Sequence, residues 1–318
     1  MNQEKIINMF KSLSPDKDMN TFYSNLTMEI WEMFKGRYEN VDEAHNHNHI
    51  YHVLQRAIDI VEFCISKHLI KKEDRERFYK QMIFASILHD SFSYTHRKMH
   101  HEKAYELAKL FESVKVNEQN QIDVLTKAEN DFNLKLDILR KLDVPEELRQ
   151  DISHFNFNWL KHFTKIDVNI VAYMVLQHRA SNKDDFINLQ AEIFSCADRD
   201  DLDLSVIINR IYKCACDEGC LFDFELNGHI PLDIVINNVS YHSSEIIPYL
   251  KDSLEWNAKQ IKTFYHLWEK FSRVGYMFDT LKPDGVYFSY YKDVINDFYK
   301  EVDDIIVNPE KMLTYLKV

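Results

Sequence analysis

An all-α fold is the reading that three features of the chain support. Its 318 residues include only 5 Gly and 6 Pro, against a soluble average of roughly 7% and 5%, so turns and bulges must be few. Apolar residues recur at three- and four-residue intervals over long stretches, the spacing of helices with one buried face. Hydrophobic residues make up 45% and aromatic residues 13%, enough for a large core. Together these features disfavour an all-β sandwich, a Gly-rich phosphate loop and a collagenous or low-complexity chain. They leave one property unexplained: the chain carries 15 His.

Taken in order, the elements follow from local pattern. The amino terminus, MNQEKIINMFKSL, is amphipathic and helical, without the apolar run and small-residue cleavage site of a secretory signal. From about Asn48 to Lys67, Ile50, Val53, Leu54, Ala57, Ile58, Val61, Phe63, Cys64 and Ile65 give a helix with one broad apolar face. A second helix, from about Lys72 to His89, starts polar and ends in Met82, Ile83, Phe84, Ala85, Ile87 and Leu88, so its carboxyl end should be the more buried. Helices are expected from about His100 to Glu112, over a polar excursion from Asn117 to Leu142, and from Pro145, which suits a first helical position, to about Ile152. Further helices are read from Val168 to His178 and from Asp184 to Asp198, with Ala180, Ser181 and Asn182 between them as a capping region. A loop from Asp217 to Ile230 carries Gly219 and Gly228. Beyond it come helices from Lys251 to Phe271 and from Tyr291 to Ile306, separated by a turn at Lys282, Pro283, Asp284 and Gly285. The expected organisation is therefore helices over 1–40, a helical domain over 41–218 and a helical extension over 219–318 packed on it.

The charge balance narrows the partners. Lys and Arg total 39 against 51 Asp and Glu, a net charge of -12, which argues against duplex nucleic acid. A small anionic substrate remains compatible, because a divalent metal reverses the field inside one pocket. No run of 18 or more uncharged apolar residues occurs, so no membrane span is expected. Cys64, Cys196, Cys214, Cys216 and Cys220 form an odd set without a secretion signal, pointing to reduced thiols and a cytoplasmic setting. Buried or boundary thiols are the reading for Cys214, Cys216 and Cys220, since no fourth ligand stands at a zinc spacing.

Metal-competent residues cluster at helix ends. His89-Asp90 follows the apolar run of the second helix, where two polar groups need partners. His49 lies on the apolar face of the helix before it, and Asp198 closes a later apolar helix. Imidazole nitrogen with carboxylate oxygen suits Mn, Fe, Co, Ni or Zn. His96, His100 and His101 form a further group that lines a pocket mouth, supplies a second-metal ligand, or belongs to a solvated loop.

In their order, His49, His89-Asp90 and Asp198 resemble the H, HD, D pattern of the HD superfamily of metal-dependent phosphohydrolases. The run His45-Asn46-His47-Asn48-His49, with Val53 and Gln55, is similar to the HNxxH, V, Q signature of cyclic nucleotide phosphodiesterases in that superfamily. This chain has His52 where that signature has Asp, and Ser91-Phe92-Ser93-Tyr94 where it has a further His and a Pro-Gly turn. Binuclear members add two His before the final Asp; His154 and His178 are 24 apart, and Asp198 follows 20 later. The similarity covers roughly Tyr38 to Asp203.

What the resemblance implies is an HD-type helical bundle binding two divalent ions (Mn, Mg, Fe, Co, Ni or Zn). The implied metal ligands are His49, His89, Asp90, His154, His178 and Asp198, with Asp90 bridging. His45 is the expected acid to the leaving oxygen, Arg179 a phosphate clamp, and His52 an outer group or substitute acid. The implied activity is hydrolysis of a nucleotide phosphodiester by a metal-activated water. Two alternatives stand beside it: an HD-type diiron oxygenase of a small organic substrate, and a non-catalytic ligand-binding HD module.

Overall fold

A computed structural model of the chain describes residues 3–13, 17–38, 41, 45–93, 95–96, 98–116, 136, 140, 146, 149, 157–179, 185–199, 202–215, 234–236, 239–241, 243–271 and 285–316. The fold is all-α. Two compact units divide the chain, Met1–Arg199 and Asp200–Val318. The helices of 1–40 belong to the first unit, and the boundary falls after Arg199 rather than at 218.

In the first unit, α1 (Gln3–Leu13), α2 (Lys17–Phe34) and a 3₁₀ turn (Lys35–Tyr38) precede α3 (His47–Ser66). A 3₁₀ turn at Lys72–Asp74 leads into α4 (Arg75–Leu88), followed by α5 (His100–Val116), α6 (Lys165–Gln177) and α7 (Leu189–Asp198). Helix α4 is central, packed against α2, α3, α6 and α7. Every residue from Met82 to Leu88 is buried, which explains why its apolar residues show no one-sided stripe: a helix covered on all sides is apolar on all sides. Beside it, Phe84 meets Trp159 edge-on at 4.8 Å and Phe163 at 5.3 Å, and Phe111 of α5 meets Trp159 at 5.5 Å. Such pairs add roughly 0.5–1.5 kcal/mol beyond their buried area.

Side-chain caps set where these helices begin. Asn46 accepts from the backbone N–H groups of Asn48 and His49 and starts α3. Asn188 accepts from Ala191 N–H at 2.8 Å, so α7 begins at Leu189 and not at Asp184 as expected. Ahead of it, the Gln177 side chain holds Asp185 O and Ile187 N in a non-helical path. At α6, Thr164 and Asp167 form a reciprocal capping box. The same Asp167 carboxylate accepts from Gln81 at 2.7 Å and Arg77 at 3.0 Å on α4. One buried carboxylate thus starts α6 and ties it to the central helix.

The second unit holds α8 (Leu204–Cys214), a short hairpin of β1 (Ile234–Ile236) and β2 (Val239–Tyr241), α9 (Ser243–Pro248), a π turn (Tyr249–Ser253), α10 (Ala258–Phe271), α11 (Val286–Tyr290), α12 (Lys292–Val307) and a closing 3₁₀ turn (Pro309–Tyr315). Helix α8 packs on α10, which is why it groups with this unit. The hairpin pairs Ile234 with Tyr241 and Ile236 with Val239 in antiparallel register; its β-branched residues favour the extended chain. The expected helix from Lys251 to Phe271 is interrupted. Glu255 adopts φ 56°, and Asn257 and Gln260 cap one another reciprocally at 2.8 and 3.0 Å, so the helix restarts at Ala258.

The excursion expected from Asn117 to Leu142, the helix from Pro145, and the segments Asp217 to Ile230 and Lys282 to Asp284 lie wholly or mostly outside the described residues, as do Cys216 and Cys220. Cys64 and Cys196 are buried, and neither is joined in a disulfide. Among the described residues no helix is long and apolar enough to cross a membrane.

Asp167→Ala should remove a capping box and leave the buried Gln81 amide without its acceptor, a loss of about 3 kcal/mol. In a unit of this size that corresponds to about 6–12 °C in Tm. Burial alone would raise the Asp167 carboxyl, but hydrogen bonds from Thr164, Gln81 and Arg77 outweigh it and lower it from its ordinary 3.8. Its contribution is therefore complete above pH of about 4 and lost as pH falls through the lower folded value. Thermal melts from pH 7 to pH 2 should show the gap between wild type and variant narrowing only at the acid end; a gap constant with pH would contradict this role.

Candidate metal centre

Five helix ends of the first unit meet at one cluster. His89 is the carboxyl cap of α4, His178 is the carboxyl cap of α6, and Asp198 is the last residue of α7. His49 lies in the first turn of α3, and His100 is the first residue of α5. Asp90 follows His89 in the turn after α4.

Two groups of donor atoms are close enough to hold a metal ion: His49, His89 and Asp90, and Asp90, His100 and His178. His89 Nε2 stands 3.4 Å from His49 Nε2, 3.3 Å from Asp90 Oδ2 and 3.5 Å from Asp198 Oδ1. His49 Nε2 is 3.1 Å from Asp198 Oδ1 and 3.6 Å from Asp90 Oδ2. On the other side of the same carboxylate, His100 Nε2 lies 3.3 Å from Asp90 Oδ1 and 3.2 Å from His178 Nε2. Asp90, shared by both groups, is 2% exposed.

Backbone carbonyls decide which ring nitrogens face inward. His89 Nδ1 lies 2.9 Å from Ser86 O, and His178 Nδ1 lies 2.7 Å from Val175 O. Both carbonyls belong to the last turn of a helix, where intrahelical donors run out. A carbonyl can only accept, so each Nδ1 carries the proton and each neutral ring presents a lone pair at Nε2. This outer-partner arrangement is typical of metal-ligating histidines. The Nε2 lone pairs of His89 and His178 then meet the Nε2 atoms of His49 and His100 and the oxygens of two carboxylates, which is repulsive unless a cation or protons lie between them. The donor set therefore fits a divalent metal.

The electrostatics express the same demand. Burial opposes a charge on His89, but Asp90 and Asp198 outweigh it and raise the imidazole to about 10. Burial would raise Asp90 and Asp198 also, yet the surrounding imidazoles hold both carboxyls below the usual range. For His178, burial dominates, opposed by Asp198 and reinforced by His89 and His100, and brings it down to about 3. The amino-terminal dipoles of α3 and α5 offset most of the three carboxyl-terminal ones, so attraction for a cation comes chiefly from the two carboxylates.

The turn bearing Asp90 is held from several sides. Ser93 Oγ donates to Asp90 Oδ1 at 3.1 Å. Tyr38 OH donates to Ile87 O at 2.5 Å, Arg37 donates to Ser91 O at 3.4 Å, and the Arg37 guanidinium lies 4.5 Å from the centre of the Phe92 ring. The run Ser91-Phe92-Ser93 thus holds the turn that carries Asp90.

Of the residues expected from sequence, His49, His89, Asp90, His178 and Asp198 come together. His154 lies outside the described residues, and His100 occupies the position beside Asp90 and His178. His100 was one reading among several in sequence; its signal was a His in the first turn of a helix close after the His-Asp pair. His45 is not on the helix of His49, because Asn46 caps α3 and places His45 before it. Its half-buried ring stands 6.3 Å from the rings of both His49 and His100. His52 is exposed on α3 with its ring 5.5 Å from that of Tyr51, and His96 is exposed. Arg179 follows His178, and its Nη1 donates to Lys98 O at 3.0 Å. Protein-family models, curated proteins and solved structures give no match to the chain.

Because Asp90 belongs to both groups, Asp90→Ala should abolish retention of Mn or Zn by the purified chain after dialysis. His100→Ala should reduce it, and His47→Ala, at an exposed position, should leave it unchanged. Elemental analysis checks all three, and full retention in Asp90→Ala would refute the assignment.

Proposed function

We propose that the chain is a metal-dependent phosphohydrolase acting on a small anionic nucleotide, with phosphodiester hydrolysis as the preferred reaction. The observation that supports this most is the pair of donor groups sharing the buried Asp90. His49, His89, Asp90 and Asp198 would hold one divalent ion, and Asp90, His100 and His178 a second. When bound, such ions supply Lewis acidity, neutralising phosphate oxygens and acidifying water. Two carboxylates against two divalent cations leave a locally positive centre in a chain of net charge -12, which is how an acidic protein attracts an anionic ester.

The protein's own groups do the rest. The Nδ1 contacts of His89 and His178 with backbone carbonyls keep Nε2 directed at the centre. His45, whose ring stands 6.3 Å from those of His49 and His100, would be the acid to the leaving oxygen, a contribution of about 10²–10⁴ in rate. Four imidazoles make the centre nitrogen-rich, which favours Mn, Fe, Co, Ni or Zn over Mg. That preference also suits iron, and it is compatible with the alternative that the resemblance to HD proteins implies, a diiron oxygenase.

Turnover of a panel of nucleotides with added Mn, run beside His89→Ala and Asp198→Ala, tests the proposal. Phosphate ester cleavage should fall by more than about 100-fold in both variants. His45→Ala should lower the turnover rate by about 10²–10⁴ while metal content stays at the wild-type level. Activity that survives both ligand changes would sink the proposal, and an oxygen-dependent product from the iron-loaded protein would replace it with the oxygenase.

A further inference from the structure

Three hydrogen bonds run between the chain segments that carry Asp198, His178 and His100. Arg199, immediately after Asp198, donates from Nη2 to Arg179 O at 3.0 Å. Ser195, one turn earlier on α7, donates from Oγ to His178 O at 3.2 Å. Arg179 then donates from Nη1 to Lys98 O at 3.0 Å, two residues before His100 opens α5. The two acceptor carbonyls of His178 and Arg179 lie beyond the last residue of α6. Ser195 and Arg199 are 0% and 3% exposed, so water does not compete for these two bonds.

We propose that Ser195, Arg199 and Arg179 form a latch that sets the spacing of Asp198, His178 and His100, acting as positioning residues for the metal centre. The inference rests on the reading of this cluster as a metal centre. Each link is anchored at both ends within three residues of a ligand, so a displacement at one end is carried to the ligand through short, stiff backbone. Arg179 thereby has a role that needs no phosphate: its guanidinium joins the end of α6 to the start of α5. The latch also explains how α5, α6 and α7 keep these three ends in register.

Titration of the metal-free full chain with Co(II), read by visible absorption and by metal content without any nucleotide, separates this role from others. Arg179→Ala is expected to weaken the most loosely held equivalent by about tenfold or more and to change the Co(II) spectrum, while the metal-free Tm stays close to wild type. Arg179→Lys, which restores a donor, should recover much of the affinity. Ser195→Ala, a neutral change, should weaken binding in the same direction. A charge effect has the opposite sign, because removing a cation beside a metal centre tightens metal binding. Unchanged or tighter Co(II) binding by Arg179→Ala would overturn the latch while leaving the metal centre standing. No Co(II) uptake by the wild type would overturn both.

Discussion

Asp90 sits almost completely buried at the end of a helix whose last turns are packed on every side, and a carboxylate there is costly unless compensated. Compensation comes from His89, His49 and His100 at 3.3 to 3.6 Å and from the Ser93 hydroxyl at 3.1 Å. The three imidazoles come from three different helices, α4, α3 and α5. The demand of one buried carboxylate therefore accounts for the convergence of α3, α4 and α5, and His178 and Asp198 bring in α6 and α7. The packing of the first unit and its polar centre are one construction, because α3, α6 and α7, which cover α4, also supply donors.

The choice of helix ends for these donors has a physical reason. A helix interior has no unpaired carbonyl, but its last turn does, and His89 and His178 use that turn to set their tautomers. Two imidazoles on different helices thus present the same nitrogen to the centre by the same local device. Asp167 shows the structural counterpart: a buried carboxylate surrounded by ordinary donors from Thr164, Gln81 and Arg77. Its partners are N–H and O–H groups with protons to give, so no cation is required. At Asp90 and Asp198 the neighbours are mostly imidazole nitrogens, and that of His89 has a lone pair to give, so a cation or protons must complete the arrangement.

Much of this was legible before the coordinates. The apolar run to Leu88 predicted a helix more buried toward its carboxyl end, and the placement of His89-Asp90 against that run marked the two residues as needing partners. Helices α3, α5, α6 and α12 begin and end within a few residues of the expectation. Where the helices differ, a side-chain cap is the usual cause: Asn188 delays α7, Asn46 excludes His45 from α3, and Asn257 with Gln260 restarts α10. Each of those pairings is local, yet Asn and Gln are common enough that the sequence does not say which of them will cap. The hairpin at Ile234–Tyr241 went unread because three-residue strands are too short for an alternation to stand out.

The sequence by itself determined the helical class, through its scarcity of Gly and Pro and its three- and four-residue apolar spacing, and it marked four of the donors, His49, His89, Asp90 and Asp198, because polar residues on buried faces are conspicuous. Tertiary structure alone decided that His100 stands opposite His178, that His45 lies at the edge of the cluster, and that Arg179 reaches the Lys98 carbonyl. Those facts depend on how α5 and α6 pack side by side, and the distance between two helix ends is encoded in the interlocking of the whole core and in no local pattern of residues.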